Sequence, residues 1–574
     1  MATQDVEQLP ASDRLDLHTE RLGPLPLINH FIDRLQIDGT LDRFVPTTDR
    51  RTGLPAAKAL GVLLRSILVE REPIYRQQEV VRSFDPRAFG LGSADVEHVG
   101  DDAIGRALDR LFDADRGALL TEVVVATVEK FGLTFEEFHN DSTSIRFCGQ
   151  YSAASGRSIR GKPAPFITYG YSKDHRPDLK QLLFILTTCA DGGVPVQFRS
   201  AAGNFSDSRT HEETWEALCK VAGKKNFLYV ADSKLCGEEA MDFIDRQGGR
   251  FVTVMPRSRL EDREFRKWIQ TEEPKWETVR NRRHPRRRDG PRDIWRVYRY
   301  HIPSKEGWPT IWVSSSLLAL RQGQTRREVV ARTEQELARL SRQLNRKRPR
   351  TRSRVKVEKA VEEILGRANV SRYVKVKIVR VDEHTYRQER PGRPGPDTRY
   401  TRSTKKRWRI EWTVDEKAIA YDKKSDGMYP LLTNDRGLTP EQVLEAHKRQ
   451  PTIEKRFQQT KTVFEIAPVL LKNEGRIEAL FFLYTLALLV QALIERELRR
   501  RMKTLGMPEL PLYPEERMTR RPTGEQVFRL FSLTARHTLR AGSNVVRVFE
   551  PELTELQKLV LGVMGIQAPI YRSA

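Results

Sequence analysis

Residues Glu137–Phe147, with the sequence EFHNDSTSIRF, predict the strand around which the rest of the chain is organised. In an extended strand Asp141 shares a face with Ile145 and Phe147, because successive side chains alternate between the two faces. Aspartate is disfavoured in strands, so its presence there requires a reason. Asp141 is therefore either a turn or cap residue, or a functional group that later segments complete.

The composition favours a large protein with a polyanionic partner. A chain of 574 residues exceeds one hydrophobic core and predicts about two to four domains. Its 100 lysine and arginine residues outnumber 77 aspartate and glutamate residues, which gives a net charge of +23. Such a surplus favours binding to nucleic acid. A hydrophobic content of 39% still allows folded domains.

Export and membrane insertion are not indicated. The longest apolar run, Ala479–Val490, has 12 residues, fewer than the roughly 20 of a spanning helix, and predicts a buried core helix. The N-terminal residues lack a basic start followed by an apolar run, so no secretory signal is expected. The four cysteines show no metal-site or disulfide spacing. We expect a cytoplasmic protein that associates with the nucleoid when bound to DNA.

The first half of the chain predicts a helical region followed by a mixed region. Residues 1–23 are expected to form a flexible tail. Apolar residues at helical spacing predict a helical domain over 24–132; short helices in series suit DNA-end recognition, but the same pattern describes any small helical bundle. Over 133–256 three strands precede alternating helices and strands, the order of a ribonuclease-H-like fold. The turn Asp191-Gly192-Gly193 predicts a hairpin between the second and third strands.

The second half predicts an insertion followed by a return to the core. Residues 257–432 are basic and contain strands, residues 433–501 resume the core with helices, and residues 502–574 form a tail with a further helix. The predicted fold is thus multidomain α/β, with a ribonuclease-H-like core interrupted by a basic β-rich insertion and preceded by a helical domain. Within the insertion Arg326–Leu344 predicts a helix, either a single amphipathic helix or a dimer seam.

The insertion also contains the candidates for DNA contact. Strands are predicted at Tyr373–Val379, Arg407–Val414 and Lys417–Tyr421. Two tryptophans interleave with arginine and lysine, which suits stacking on unpaired bases, whereas basic runs alone are commonly solvated surface. The predicted DNA-binding residues of the insertion are Arg286, Arg287, Arg288, Arg346, Lys347, Arg348, Trp408 and Trp412.

Two later carboxylates are partners for Asp141. Asp232 ends the predicted strand Phe227–Ala231, and Glu454 lies in the first turn of a predicted helix. Each alone reads as a helix cap or a favourable charge at a helix N-terminus. Together they offer the hard oxygen ligands of Mg²⁺ or Mn²⁺. Two such charges 4 Å apart repel by about 4 kcal/mol at a dielectric of about 20, and a metal pair would turn that repulsion into a site for in-line attack on phosphorus.

Five segments of the chain form a recognisable series: His139–Ser144 (HNDSTS), Gly170–Gln181 (GYSKDHRPDLKQ), Gly203–Asp207 (GNFSD), Tyr229–Asp232 (YVAD) and His447–Arg499. On these segments the chain resembles the DDE transposases of bacterial insertion sequences, in the insertion-sequence-four superfamily, over about residues 24 to 500. The resemblance implies a ribonuclease-H-like core, catalytic metal ligands at Asp141, Asp232 and Glu454, and a β-rich insertion between the last two.

The resemblance also implies a reaction and partners. It implies cut-and-paste transposition with two Mg²⁺ or Mn²⁺ ions in each active site, acting on terminal inverted repeats and target DNA. A homodimer assembled on DNA is expected. The alternatives are a DNA-binding protein that has lost catalysis or been repurposed, and a nuclease of the same fold that hydrolyses strands without joining them.

The family signature around the glutamate is only partly present. The family has tyrosine, then arginine after two residues, glutamate after three more and lysine after six more. This chain keeps Glu454 and Lys461 but has His447 and Gln450 at the first two positions, so phosphate contacts are not carried over to those two. In a continuous α-helix Lys461 would share a face with Glu454 two turns away, and we expect it to bind a DNA phosphate.

Overall fold

The chain divides into two structural units. The first comprises residues up to 253 together with residues from 445 onward, and the second comprises residues 254–444. The computed structural model describes residues 15–47, 53–149, 151, 156, 158–173, 176–205, 210–283, 289–346, 353–467, 469 and 471–572. The predicted DNA-binding residues Arg286, Arg287, Arg288, Lys347 and Arg348 lie outside the described residues.

The first unit begins with one strand and a series of helices. Leu15–Arg21 is a strand, so the flexible tail expected for residues 1–23 is wrong over this stretch. The helical pattern predicted for 24–132 is present, and α6 begins where the Asp115 side chain accepts a hydrogen bond from the Ala118 N–H. The elements are β1 (Leu15–Arg21), α1 (Leu25–Arg34), α2 (Ile37–Phe44), α3 (Ala56–Val69), α4 (Gln77–Arg82), α5 (Asp101–Asp113) and α6 (Arg116–Phe131).

A five-stranded sheet comes next in the same unit. Its order is β6-β5-β2-β7-β8, antiparallel from β6 to β2 and parallel from β2 to β8. The predicted order of three strands followed by alternating helices and strands is confirmed for the sheet, and a short unpredicted pair, β3 with β4, lies between its first two strands in the chain. The elements are β2 (Glu137–Phe147), β3 (Ser158–Ile159), β4 (Lys162–Pro163), β5 (Lys180–Cys189), β6 (Pro195–Ala202), α7 (His211–Ala222), β7 (Leu228–Ala231), α8 (Glu238–Arg246) and β8 (Arg250–Val254).

The second unit combines an antiparallel sheet with helices and a long two-stranded ribbon. The sheet has the order β9-β10-β11-β14, and β12 pairs with β13. The elements are α9 (Leu260–Trp268), β9 (Glu277–Arg282), β10 (Asp293–Arg299), β11 (Thr310–Ser315), α10 (Ser316–Leu344), α11 (Arg354–Ala368), β12 (Val374–Gln388), β13 (Tyr400–Val414), α12 (Glu416–Lys423) and β14 (Met428–Thr433).

The structure of the second unit tests two predictions, the strand at Lys417–Tyr421 and the role of the α10 heptad. The strand predicted at Lys417–Tyr421 is wrong: the segment lies in α12, which the Asp415 side chain caps by accepting from the Ala418 N–H. The heptad residues of α10, Val330, Leu337 and Leu344, are buried in a cluster within the unit. The single amphipathic helix is therefore favoured over a dimer seam.

The chain returns to the first unit and ends there. The tail over 502–574 contains more than the one helix expected, since β17 pairs with both β1 and β18 in a three-stranded sheet. The elements are α13 (Pro440–Arg449), α14 (Pro451–Gln458), α15 (Glu474–Thr504), β15 (Leu510–Tyr513), β16 (Arg517–Thr519), α16 (Gly524–Phe531), β17 (Ala535–Ala541), β18 (Asn544–Phe549) and α17 (Glu555–Met564).

Helix α15 is the centre of the first unit's core, as the apolar run predicts. The Asn473 side chain caps it by accepting from the Arg476 N–H. Its Phe481 ring lies 5.8 Å from Phe184 on β5 and 6.4 Å from Phe147 on β2. Among the described helices α15 is long and apolar enough to cross a membrane, but 89% of its most apolar window is buried inside the protein, as in a core helix.

Helix α14 is held against the sheet and α15 by a buried arginine. Arg456 donates to Glu495 of α15 at 2.9 Å and to the carbonyls of Gly192 and Gly193 in the β5–β6 turn. Both turn glycines have positive φ, and a Cβ at Gly193 would lie 2.3 Å from the Thr452 methyl. Burial alone would raise the pKa of Glu495, but Arg456 lowers it below its ordinary value, so the pair is ionic.

We predict that Arg456→Ala destabilises the protein by about 3–5 kcal/mol, because it leaves Glu495 as a buried charge without its main partner. The measurement is chemical denaturation followed by tryptophan fluorescence. Lys558→Ala, which removes an exposed partner of Glu555, is the matched control and should change stability by no more than about 0.5 kcal/mol. Equal effects of the two substitutions would contradict the anchoring role of Arg456.

Candidate active site

The sheet brings Asp141 and Asp232 together. Strands β2 and β7 are parallel neighbours, and their register pairs Asn140 with Ala231. Asp141 and Asp232 are the next residues on the two strands, and neighbouring strands lie about 4.8 Å apart. Asp232 follows the carboxyl end of β7, where α/β sheets commonly place functional side chains. The structure therefore places two of the three predicted carboxylates side by side.

Asp141 lies in an environment that opposes its negative charge. Burial raises the pKa of Asp141 to about 6, with attraction by Lys173 lowering it and repulsion by Asp232 raising it. The Lys173 ammonium lies 3.4 Å from Asp141 Oδ1 and donates to the Ser142 carbonyl at 2.5 Å and to Ser142 Oγ at 2.8 Å. A lysine thus supplies positive charge beside the carboxylate pair.

The backbone around Asp232 is fixed by hydrogen bonds. The Asp232 carbonyl accepts from Thr253 Oγ1 at 2.7 Å, and its carboxylate Oδ1 accepts from the Lys234 N–H at 2.9 Å. Helix α8 begins later, after Gly237 at its N-cap position. Asp232 therefore does not cap that helix, although one of its oxygens closes the turn after β7.

A series of buried polar contacts connects β2 to Arg449 and Gln450, at the junction of α13 and α14. His139 Nε2 lies 2.7 Å from Glu137 Oε1, and His139 Nδ1 lies 3.1 Å from Gln450 Oε1. Arg449 also forms an ion pair with Glu137. Burial alone would raise the pKa of Glu137, but hydrogen bonds from His139 and Arg449 outweigh it and lower the pKa to about 2. Glu137 is thus an ionised anchor for the end of α13.

The same series of contacts holds the start of α14, the helix that carries Glu454. Gln450 donates to the carbonyl of Asn140, the residue before Asp141, at 3.2 Å. Glu454 follows Gln450 by four residues, about one helical turn, so both project from one side of α14. Helix α14 packs on β2, and Glu454 itself is exposed. Gln450 thus holds the start of α14 next to Asn140, one helical turn before Glu454.

The residues at the two altered signature positions, His447 and Gln450, lie inside the protein. Burial lowers the pKa of His447 to about 4, which makes the ring neutral at pH 7. Gln450 is buried and occupied with His139 and Asn140. These contacts agree with leaving both residues out of the predicted phosphate contacts.

The carboxylates of Asp141 and Asp232 fit a divalent cation in chemistry. Within the described residues no three histidine, cysteine, aspartate or glutamate side chains gather closely enough to hold a metal ion. Asp141 and Asp232 offer adjacent oxygens, which Mg²⁺ and Mn²⁺ prefer, and their mutual repulsion is the kind that a cation relieves. The convergence of Glu454 with them stays a prediction.

The helix between Glu454 and Lys461 differs from the expected one. Helix α14 ends at Gln458, and Gln459–Val463 forms a π-helix. The continuous α-helix assumed for the shared face of Glu454 and Lys461 is therefore wrong in its second turn, because a π turn contains more residues and rotates the side chains that come after it. Single π turns are frequent at functional sites. The phosphate contact of Lys461 stays a prediction.

The two tryptophans predicted to contact DNA have packing roles. Trp408 and Trp412 are partly buried against the cluster that contains Val374 and Ile410. The Arg354 guanidinium lies over the Trp408 ring, 5.9 Å from its centroid. Arg346 is exposed at the end of α10, and its carbonyl accepts from Arg407. Contacts of Trp408, Trp412 and Arg346 with DNA stay predictions.

Sequence reasoning missed the residues that surround the carboxylate pair. Lys173 lies within the segment Gly170–Gln181 that carries part of the family resemblance, but its spacing from Asp141 gives no sign of contact. Glu137, His139 and Asp141 are two residues apart and therefore share one face of β2. This run of polar residues on one strand face could have been detected in the sequence. The partners of Glu137 and His139, Arg449 and Gln450, lie more than 300 residues away and could not be found from local pattern.

Comparison with known proteins identifies two regions of the chain. The family described as "Transposase DDE domain" matches residues 137–490, and one described as a domain of unknown function matches residues 17–125. No curated protein matches the chain. A cryo-electron microscopy structure titled piggyBac transposase synaptic complex with hairpin DNA is similar over 52% of this chain and 63% of that chain, with 11% identity and a TM-score of 0.26.

We predict that Asp141→Asn stabilises the protein in a pH-dependent manner. With a pKa raised from 3.8 to about 6, folded Asp141 holds its proton more tightly than unfolded Asp141, so stability falls as pH rises between these values. The asparagine should be more stable by up to about 3 kcal/mol above pH 6, at about 1.4 kcal/mol per pKa unit, and equal to wild type below about pH 4.

The measurement is denaturation across this pH range in a chelator. Asp242→Asn on α8, where Asp242 pairs with Arg246 at the surface, is the control and should give no gain that grows with pH. Equal stability of wild type and Asp141→Asn at pH 8 would contradict the raised pKa.

Proposed function

This chain belongs to the family of transposases with a DDE domain, and we propose that it binds the ends of a DNA element and cleaves and joins DNA strands there. The observation that carries the proposal is the side-by-side position of Asp141 and Asp232 on β2 and β7. Support for the third residue comes from Gln450, one helical turn before Glu454, which donates to the carbonyl of Asn140 beside Asp141. We infer that these three residues are the catalytic triad.

The sheet supports a ribonuclease-H-like core for this triad. The order β6-β5-β2-β7-β8, with three antiparallel strands followed by parallel ones, agrees with the core inferred for residues 133–256 and 433–501. We propose that residues 257–432 are a basic β-rich insertion and that the helical domain over 24–132 recognises DNA ends. Membership of the insertion-sequence-four superfamily is part of this proposal.

The triad would hold two Mg²⁺ or Mn²⁺ ions. When bound, such ions activate the attacking oxygen and stabilise the leaving oxygen of a phosphodiester. Asp141 must be ionised to act as a ligand, and a pKa of about 6 leaves it mostly ionised at neutral pH. Lys173 favours that ionised form by its positive charge. Bound divalent cations would outweigh the negative charge of the two carboxylates, so that the metals and Lys173 together would offer positive charge to the phosphate.

The reaction depends on which oxygen attacks. Attack of water on the phosphodiester releases a 3′ hydroxyl, and attack of that hydroxyl on target DNA joins the strands while a new 3′ hydroxyl leaves. We propose terminal inverted repeats and target DNA as substrates and a homodimer as the assembly on DNA. The net charge of +23 favours this polyanionic partner.

We predict that Asp141→Asn, Asp232→Asn and Glu454→Gln each abolish DNA cleavage in Mg²⁺ and leave DNA binding nearly intact, because each removes a metal ligand. The measurement is cleavage of a duplex that carries the terminal sequences flanking the coding region, with binding measured in parallel. Glu555→Gln, at an exposed carboxylate of α17, is the control and should cleave at the wild-type rate.

The outcomes separate the alternative functions. Wild-type cleavage without strand joining would indicate a nuclease of the same fold, and binding without cleavage would indicate a protein that has lost catalysis. Efficient cleavage by Asp232→Asn would overturn the triad.

We predict that Lys461→Ala slows single-turnover cleavage roughly ten- to hundredfold, the effect of losing a charge-assisted hydrogen bond of about 1.5–3 kcal/mol to a phosphate. Because Lys461 is not a metal ligand, the loss should persist across a Mg²⁺ titration. Lys503→Ala, at an exposed lysine near the end of α15, removes the same charge elsewhere in the first unit. Rescue of Lys461→Ala by added metal would contradict a phosphate contact.

A further inference from the structure

The ribbon formed by β12 and β13 has a packed base and an exposed distal half. The two strands pair over 15 residues each, from Val374 with Val414 at the base to Gln388 with Tyr400 at the far end. Near the base, Val374 and Ile410 belong to the buried cluster of the second unit. From Arg380 to Gln388 and from Tyr400 to Lys406, nearly every residue is exposed on both faces.

The pairing register assigns the distal side chains to two faces. Directly opposed residues of an antiparallel pair lie on the same face, and neighbours along a strand alternate. One distal face, which continues the buried face of the base, carries the pairs Asp382–Lys406, His384–Thr404, Tyr386–Arg402 and Gln388–Tyr400. We call it the polar–aromatic face. The opposite face carries Glu383–Lys405, Thr385–Ser403 and Arg387–Thr401.

The distal half is strongly basic and contains little apolar surface. Residues 380–407 contain nine arginine and lysine residues against four acidic ones, a net charge of +5. Two of the acidic side chains are engaged within the ribbon, Asp382 by Arg380 and Glu383 by Arg407. The large exposed groups Tyr386 and Tyr400 are 64% and 48% exposed. A basic surface of polar and aromatic groups fits a polyanion better than an apolar protein surface.

The dimensions of the ribbon match one groove of duplex DNA. Two paired strands lie about 4.8 Å apart, and a two-stranded ribbon with its side chains fits the major groove, which is about 12 Å wide. Nine residues from Arg380 to Gln388, at about 3.4 Å each, extend roughly 30 Å, close to one helical turn of DNA. The length is sufficient for the tip to reach the groove floor while the base stays in the protein.

We propose that the distal half of this ribbon enters the DNA major groove with its polar–aromatic face toward the base edges. The proposal deepens the proposed function, since it rests on the chain binding DNA, and it adds a site for reading sequence. Arg402 is suited to a bidentate contact with guanine and Gln388 to one with adenine. Arg402 lies against His384, with Nη2 2.7 Å from the ring Nε2, at the middle of that face.

The opposite face has a different role. It carries Glu383, which pairs with Arg407 of the same face, and its Arg387 is placed to contact the phosphate backbone. Phosphate contacts contribute affinity without sequence information, whereas base contacts contribute discrimination. The two faces therefore predict different effects for substitutions that remove the same charge.

The first experiment compares Arg402→Ala with Arg387→Ala, neighbouring rungs on opposite faces. The full-length protein is used to select sequences from a pool of randomised duplexes in a chelator, and affinity is then measured on the selected duplex and on an unselected one. Arg402→Ala should weaken binding to the selected duplex about 5- to 150-fold more than binding to the unselected duplex. Arg387→Ala should weaken both by a similar factor. If wild type and Arg402→Ala discriminate equally between the selected and the unselected duplex, the assignment of base reading to the polar–aromatic face is overturned.

The second experiment tests the groove. Residues 384–404 are replaced by Asn-Gly, which closes a tight hairpin and keeps the packed base. Methyl green, a major-groove ligand, should weaken duplex binding by wild type more than binding by the shortened protein, whereas netropsin in the minor groove should affect both alike. A shortened protein that binds duplex as tightly as wild type, with the same response to methyl green, overturns the proposal.

The chelator separates this proposal from the proposed function. Binding is measured without metal, so a protein unable to cleave DNA still reports on the ribbon. If the protein cleaves terminal sequences but its DNA binding does not depend on residues 384–404, the transposase function stands. In that case the ribbon has no part in DNA binding.

Discussion

The buried charge of Glu137 is the constraint on which the site depends. A carboxylate in the core is costly unless it is paired, and Glu137 is paired by His139 on its own strand and by Arg449 on α13. His139 in turn contacts Gln450, whose amide donates to the Asn140 carbonyl. This chain of contacts joins segments more than 300 residues apart, and it holds the start of α14, four residues before Glu454, beside the residue that precedes Asp141.

The pKa values of two carboxylates four residues apart on β2 shift in opposite directions. Hydrogen bonds to Glu137 lower its pKa to about 2, whereas burial raises the pKa of Asp141 to about 6. Glu137 is thus a permanent structural charge that stabilises the fold. Asp141 is held beside Asp232 at a cost in stability. The buried charges nearby are paired instead, Glu137 with Arg449 and Arg456 with Glu495.

The second unit shows the same division between anchored and functional surface. Its cluster of Val330, Leu337, Val357 and Ile410 fixes the base of the ribbon against α10 and α11. Trp408 and Trp412 contribute to that base rather than projecting from it. A rigid base allows the distal half of the ribbon to present polar side chains without support from other strands, and its exposed tyrosines and arginines become an interaction surface instead of a core.

The sequence by itself determined the elements of the core, the helical front region and the strands that place Asp141 and Asp232, because periodicity and turn residues act over a few positions. It also identified the family from short segments. Only the tertiary structure decided the features that depend on distant partners: the pairing of Leu15–Arg21 with Ala535–Ala541, the burial of the tryptophans and the Glu137 anchor. The helix at Glu416–Lys423 and the π turn before Lys461 depend on a capping side chain and on local packing, which hydrophobic periodicity does not encode.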